Sequence, residues 1–435
     1  MKTDFVRRCK ILGLFTFSCC LGALLISQTA HAVIANPDPE TLQQPNGVTF
    51  LAQQGGDEWL NWVVSDGTLI EKDSDGYWCY LAKSDKEPIR SKARVGMAPV
   101  PTQALSVTEF LQLESSQRRV PQGARIASEN IAAPSGPTER ILLILVSFND
   151  RSITTSSSAW QNALFGTSGK TVRTYYNEVS KGAFYFVPAE ETYGTANDGV
   201  VSVTLNRAHP NTADNTDDRN RQIVADALVA ADPYVNFASF DTSGNGSISG
   251  AELHIVTIIA GYERAYSSTV SPSIWAHRWS LWGAVAPVTL DGKSVGGGGY
   301  TQQGELHGNT SGSHQATIGV LCHELGHDIG LPDLYDTDAS NGDSYGIGIF
   351  GLMAGGSWGN TSGEYSGATP THMCAWSKIA MGFVIPTVIT SGGTQTLYRS
   401  NNSGYNVVRL NTSDTNQYFL IENRHTEGFD AGMYR

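Results

Sequence analysis

The sequence predicts a mixed α/β (α+β) unit flanked by two β-rich regions. Three observations carry this. Ile141 to Val146 is an unbroken apolar run, and Leu253 to Ala260, apolar save His254 and Thr257, reads as a second buried strand; each has the length of a strand buried on both faces. Between and after them lie stretches with helical spacing of apolar residues. Before about residue 135 and after Pro386, short apolar segments alternate with turn residues.

In chain order, Arg7, Arg8 and Lys10 precede an uncharged apolar run from Ile11 to Ile26, and Ala30-His31-Ala32 offers small residues at a cleavage site. This predicts a secretory signal over 1–32, cut before Val33 and too short for the ~20 residues of a spanning helix. An exported, extracellular protein without a membrane anchor follows. Its removal takes Cys9, Cys19 and Cys20 and leaves Cys79, Cys322 and Cys374, an odd number. Over 33–135, Pro45-Asn46-Gly47, Asp66-Gly67 and Asp75-Gly76 punctuate the runs Trp59–Val64 and Tyr77–Leu81, which reads as hairpins, with a helix-compatible stretch at 106–120 and a Pro/Ser/Ala linker at 132–137. Residues 136–385 form the α/β unit: the strand at Ile141, a helix over 159–179, a helix ending at Ala231 before Asp232-Pro233, and the strand at Leu253. In 386–435, Thr394–Arg399, Asn406–Leu410 and Gln417–Glu422 read as short strands. The net charge of -12, with no basic block, argues against nucleic acid as a partner.

His323-Glu324-Leu325-Gly326-His327 puts two imidazoles four residues apart on one helix face, where both reach one metal ion. Glu324 beside them is positioned as general base. Gly330 suits a left-handed helix end, and Pro332 blocks continuation, so the chain turns back and brings Asp333 to the same metal. A carboxylate is a sound zinc ligand. Asp336 is the alternative third ligand, and a distant Glu364 another. Twenty residues on, Phe350 to Gly356 holds Met353 among glycines. Together these strings resemble the metzincin zinc site and its Met-turn.

The chain also resembles the immune inhibitor A family of secreted bacterial metallopeptidases. The resemblance rests on His323 through Asp336 (HELGHDIGLPDLYD), on Gly351 through Trp358, on Pro370 through Lys378, and on Ile274-Trp275-Ala276-His277. Gly55-Gly56-Asp57-Glu58 with Asp66-Gly67 and Asp75-Gly76-Tyr77-Trp78 resembles the family's pro-region. The resemblance implies a zinc endopeptidase made as a precursor, acting on proteins or peptides. Tyr418 to Arg424 and Gly428 to Asp430 resemble the start of a downstream β region, so the chain is expected to stop partway through it. The rival from another class is a calcium-stabilised surface or adhesive protein with a vestigial protease site; an intact Glu324 argues against it.

Asp241, Ser243, Asn245, Ser247, Ser249 and Glu252 fall at the ligand positions of a twelve-residue EF-hand loop with Gly246 at its turn, so calcium is expected there. Asp333, Asp336, Asp338 and Asp343 form a further acidic cluster. Cys322 and Cys374 are expected to pair, which leaves Cys79 (or Asp73 or Asp75 beside it) to plug the zinc site in the precursor. Tyr345 and Tyr365 are candidates for stabilising the oxyanion. His277 reads as structural, and His307 and His314 as residues of an exposed Ser/Gly-rich loop.

Overall fold

The computed structural model describes residues 33–57, 61–83, 88–111, 134, 136–212, 218–282, 285–337, 344–414 and 417–433. The expected signal segment, Asp338 and Asp343, the linker save Pro134, Gly136 and Pro137, and the stretch beyond residue 111 lie outside these. Helical backbone is present over 107–111. No helix among the described residues is long and apolar enough to cross a membrane.

The N-terminal hairpins form a six-stranded meander: β1 (Glu40–Gln43), β2 (Thr49–Gly56), β3 (Asn61–Ser65), β4 (Thr68–Lys72), β5 (Trp78–Ala82) and β6 (Ile89–Arg94), each pairing with the next. Asp66 and Gly67 both take positive φ at the β3–β4 turn, the geometry a two-residue hairpin requires.

The central sheet is built on β7 (Thr138–Phe148), which contains the first apolar run. It runs parallel to β8 (Tyr185–Pro188), β9 (Val200–Leu205) and β10 (His254–Glu263). Beyond β10, which also pairs with the short β11 (Ser273–Ile274), the order continues through β15 (Tyr300–Asn309) to β12 (His277–Trp279), antiparallel at the edge. A small hairpin, β13 (Val288–Leu290) with β14 (Lys293–Val295), precedes β15, and β16 (Gly312–Gln315) folds back on it.

The continuous apolar pattern of β7 has a simple cause: both faces are covered. Leu142, Ile144 and Val146 pack with Ile223, Val224 and Leu228 of the helix Asp218–Ala231. Ile141, Leu143 and Leu145 pack with the opposite layer, formed by α1 (Ser157–Phe165), α2 (Val172–Val179) and the helix Ile318–Asp328. In chain order Asp218–Ala231 is α3 and Ile318–Asp328 is α4.

The single helix expected over 159–179 is two. Gly166 ends α1, where a Cβ would lie 2.6 Å from the Asn162 carbonyl oxygen, and Thr171 starts α2 with a capping box to Thr174. Trp160 and Leu164 are in register with Val172 and Tyr175 by spacing alone, so the break was masked in the periodicity. In the C-terminal region β17 (Thr387–Ile389), β18 (Val408–Asn411) and β19 (Tyr418–Ile421) form a three-stranded sheet. Residues 394–398 are not strand, and Arg399 makes only an isolated bridge to Asn423.

Helix α4 sits hard against the loop that follows Met353. At Gly319 a Cβ would come within 1.9 Å of the Ser357 carbonyl oxygen. Backbone cannot yield as a side-chain tip can, so Gly319→Ala is expected to cost about 1–3 kcal/mol by forcing helix and loop apart. The midpoint of urea unfolding measures this.

Candidate active site

Helix α4 carries His323 and His327 into the interior, both buried. It ends in a two-bond motif: Leu331 N–H donates to the Gly326 carbonyl at 2.9 Å and Gly330 N–H to the His327 carbonyl at 2.9 Å, with Gly330 at φ +104. These are the two bonds of a Schellman cap, available to glycine because it has no Cβ. The turn sends the chain back along the helix. It places the Leu331 carbonyl 2.7 Å from His327 Nδ1, and Asp333 opposite both imidazoles.

The three side chains meet at one point. His323 Nε2 and His327 Nε2 are 3.0 Å apart, and Asp333 Oδ1 is 3.2 Å from the first and 3.1 Å from the second. Among the described residues this is the one group of three or more His, Cys, Asp or Glu side chains close enough to hold a metal ion. The outer nitrogens decide what the inner ones offer. His323 Nδ1 lies 2.9 Å from the Leu352 carbonyl and His327 Nδ1 2.7 Å from the Leu331 carbonyl. A carbonyl only accepts, so each Nδ1 carries the hydrogen and each neutral ring presents a lone pair at Nε2. Two imidazole nitrogens and a carboxylate oxygen that converge within about 3.2 Å of one another form a donor set that a single cation satisfies. The donor set therefore fits a zinc ion.

Glu324, also buried, lies beside this point. Burial pushes its carboxyl well above the ordinary value, nearby Asp333 and Glu263 add to that, and the backbone amides of Val33 and Arg278 oppose it. Met353 lies beneath the helix, its Sδ only 2.6 Å from where a Cβ on Gly326 would stand. Leu334 N–H donates to the Met353 carbonyl at 2.7 Å, which stitches this turn to the loop bearing Asp333.

Other expected residues fall elsewhere. Asp336 is not in the group that meets His323 and His327. Glu364 pairs with Lys170 and accepts from Thr369 and Thr361. Tyr345 is largely exposed, and Tyr365 stacks on His314. His277 is buried between the Trp275 carbonyl and the Tyr300 hydroxyl, as a structural histidine. His307 and His314 are not in an exposed loop: they oppose each other on β15 and β16, and His307 is fully buried against Tyr266. The glycines and serines read as loop are the turn and short return strand of that hairpin. Cys79, Cys322 and Cys374 are all free thiols, so the expected Cys322–Cys374 bridge is absent. Cys79 sits in β5 with its Sγ 3.7 Å from Asp73 Oδ2, away from the histidines' group. Two indoles hold the start of the described chain. Trp275 donates its indole N–H to the Val33 carbonyl at 3.0 Å and Trp358 to the Ile34 carbonyl at 2.9 Å.

In the loop 241–252, Asp241 accepts from the Asn245 and Gly246 backbone, and Glu252 from the Ser243 and Ser249 backbone. Asn245 accepts from the Ser247 N–H. Lys293 Nζ lies 2.7 Å from Asp241 Oδ2, so an ammonium already neutralises the first expected calcium ligand.

A buried charge network was not foreseen. His254 contacts Asp328 at 2.5 Å through Nδ1 and Glu139 at 2.8 Å through Nε2, while Arg278 Nε donates to Asp328 at 2.9 Å. It ties the last residue of α4 to β7, β10 and β12. The sequence signal for Trp275 and Trp358 is only that indole residues flank the motif on either side.

The profile of the immune inhibitor A peptidase M6 catalytic domain matches residues 133–384. A pre-pro-metalloprotease of Vibrio cholerae serotype O1, PrtV, is 27% identical over 334 residues, covering 69% of this chain and 35% of its own. Immune inhibitor A of Bacillus thuringiensis subsp. alesti is 32% identical over 177 residues, covering 36% of this chain and 24% of its own. The chain thus spans about a third or less of the length of these curated relatives.

The network has a pH signature. Burial alone would lower the His254 pKa, but the Asp328 and Glu139 carboxylates outweigh it and raise it from 6.5 to about 9. The folded state then holds a proton the unfolded chain has released, so this contribution is full below about 6.5 and is lost as pH rises through about 9. His254→Gln is expected to flatten the fall in thermal stability across that window, measured by unfolding scans at a series of pH values.

Proposed function

The chain belongs to the immune inhibitor A peptidase M6 family, and we propose that it is a secreted zinc-dependent endopeptidase made as a zymogen. The observation that carries this is the convergence of two imidazole lone pairs and a carboxylate oxygen beside a buried glutamate. His323, His327 and Asp333 hold the zinc. Bound there, zinc supplies a Lewis acid that polarises the scissile carbonyl and acidifies a water molecule. Glu324 takes the proton of the attacking water and delivers it to the leaving amine. The carbonyls of Leu331 and Leu352 keep both rings in the required tautomer, and Met353 supports the helix from below.

The metzincin-like reading of the α/β unit rests on the same string and on the Met353 turn. The domain reading is a signal over 1–32, a pro-region over 33–135, the catalytic domain over 136–385 and the opening of a β region over 386–435. Latency is supported by the Val33 backbone amide near Glu324 and takes the place of the Cys79 plug. The relative named a pre-pro-metalloprotease is consistent with export and processing. Protein or peptide substrates follow from the reaction. Calcium at 241–252 is supported by ligand spacing and opposed by Lys293, so zinc is the one cofactor the reaction needs.

Metal analysis of the purified protein is expected to find one zinc per chain. Asp333→Ala is expected to lose it. Glu324→Gln is expected to retain it while casein hydrolysis falls by about 10²–10⁴-fold. Full hydrolysis by Glu324→Gln, or full zinc in Asp333→Ala, would contradict the assignment.

A further inference from the structure

Strand β10 is bulged near its end. Up to Ile259 its side chains alternate, with Ile255 and Ile259 packed on the α3 side and Val256 and Ile258 on the α4 side. The pairing with β15 then shifts register between Ile259 and Tyr262, and Gly261 takes φ +124. Unbroken alternation would send Glu263 the way of Ile255 and Ile259; the bulge turns it to the α4 side. There it is fully buried, and its partners are three backbone amides rather than a basic side chain. One oxygen accepts from Ala265 at 3.0 Å and Ala276 at 2.9 Å, the other from Gly304 at 2.9 Å. The donors belong to three separate pieces of chain: the loop leaving β10, the link from β11 to β12, and β15. Gly304 permits the third bond, since a Cβ there would lie 2.5 Å from the Glu263 nitrogen. One carboxylate thus fixes the spacing of three segments through charge-assisted bonds.

Two of those segments hold an extended chain. The Ala265 carbonyl accepts from the Asn36 N–H at 2.7 Å. Trp275, next to Ala276, donates its indole N–H to the Val33 carbonyl at 3.0 Å. Both contacts address main chain, so they take any sequence. They also stand beside the candidate reaction centre. Ala265, Trp275 and Ala276 share one buried cluster with Val33, Ala35 and Val320, and Val320 lies one turn before Glu324 on the same face of α4.

We infer that Glu263 is a positioning residue: its carboxylate sets Ala265 and Trp275 at the spacing of an extended polypeptide, so that this wall of the cleft grips main chain, that of residues 33–36 in the precursor and that of a substrate in the active enzyme. The substrate half rests on the peptidase reading above; the positioning half does not.

Amide hydrogen exchange on the full-length chain, read by mass spectrometry at pH 8, tests the positioning half without any hydrolysis. Burial raises the Glu263 carboxyl from 4.5 to about 7, so it is ionised there. Every sample carries Glu324→Gln to keep the chain intact. Glu263→Gln keeps the shape but turns an NH2 toward a donor, so at least one of the three bonds is lost. Residues 33–41 and 264–276 are expected to exchange about tenfold faster, with β7 and α3 unchanged. Glu263→Asp keeps the charge and falls a methylene short; it is expected to loosen the same two segments and carries the test where the glutamine variant fails to fold. Unaltered exchange in both segments, or equal acceleration throughout the chain, overturns the assignment. The substrate half is read on secreted enzyme that has shed its pro-region and cleaves casein, where Glu263→Gln is expected to raise KM about tenfold. KM is the readout because the Glu263 charge also acts on Glu324 and so bears on kcat. An unaltered KM overturns the substrate half alone. Absence of any Glu324-dependent cleavage overturns the peptidase reading and leaves the exchange result standing.

Discussion

The structure depends on holding two imidazole nitrogens and a carboxylate oxygen about 3 Å apart in a largely buried site. Burying two imidazoles and a carboxylate side by side takes them largely out of water, which a cation bound between them would offset. Much of the surrounding architecture resists its collapse. The Schellman cap at Gly330 returns the chain at the one angle that lets the Leu331 carbonyl fix His327 and Asp333 reach both rings. The Leu352 carbonyl fixes His323 from the opposite side, and the same loop puts Met353 under Gly326.

The sheet contributes by immobilising α4. Its inner face meets the layer beneath β7, and the Tyr176 hydroxyl, itself buried, donates to the Cys322 carbonyl at 2.7 Å, one residue before the first histidine. Its end is anchored by Asp328, which His254 and Arg278 bind in the interior. Two acids and two bases make that network formally neutral once His254 is protonated. A buried network of this kind is costly if any member is lost. Helix α4 is thus fastened at its start, middle and end, and the two turns bearing His323 and His327 have little freedom to drift.

The legible parts of the fold were those set by local chemistry. The β7 run is apolar without alternation because both faces are covered, and that shows in sequence. The HExxH spacing, Gly330 and Asp333 encode the site over eleven residues, so its geometry was readable before any tertiary contact. Features that depend on distant partners were not. The break between α1 and α2 hid behind apolar spacing that happened to continue across Gly166. His307 reads as a loop residue from sequence because its glycine- and serine-rich neighbours form the hairpin turn, while Tyr266 and Trp358, which pack against it, are far away in sequence. Cys79 invites a latency role on chemistry alone, but its place in β5, with Sγ beside Asp73, depends on the fold of the N-terminal sheet. The His254 network joins residues 139, 254, 278 and 328, none of which announces the others.

Zinc K-edge X-ray absorption on the purified protein tests the central claim most directly, because it reports the ligand atoms themselves. Two imidazole nitrogens and a carboxylate oxygen are expected at about 2.0–2.2 Å, with no sulfur in the coordination shell. A sulfur scatterer at about 2.3 Å, or zinc bound without histidine, would contradict the account of this site.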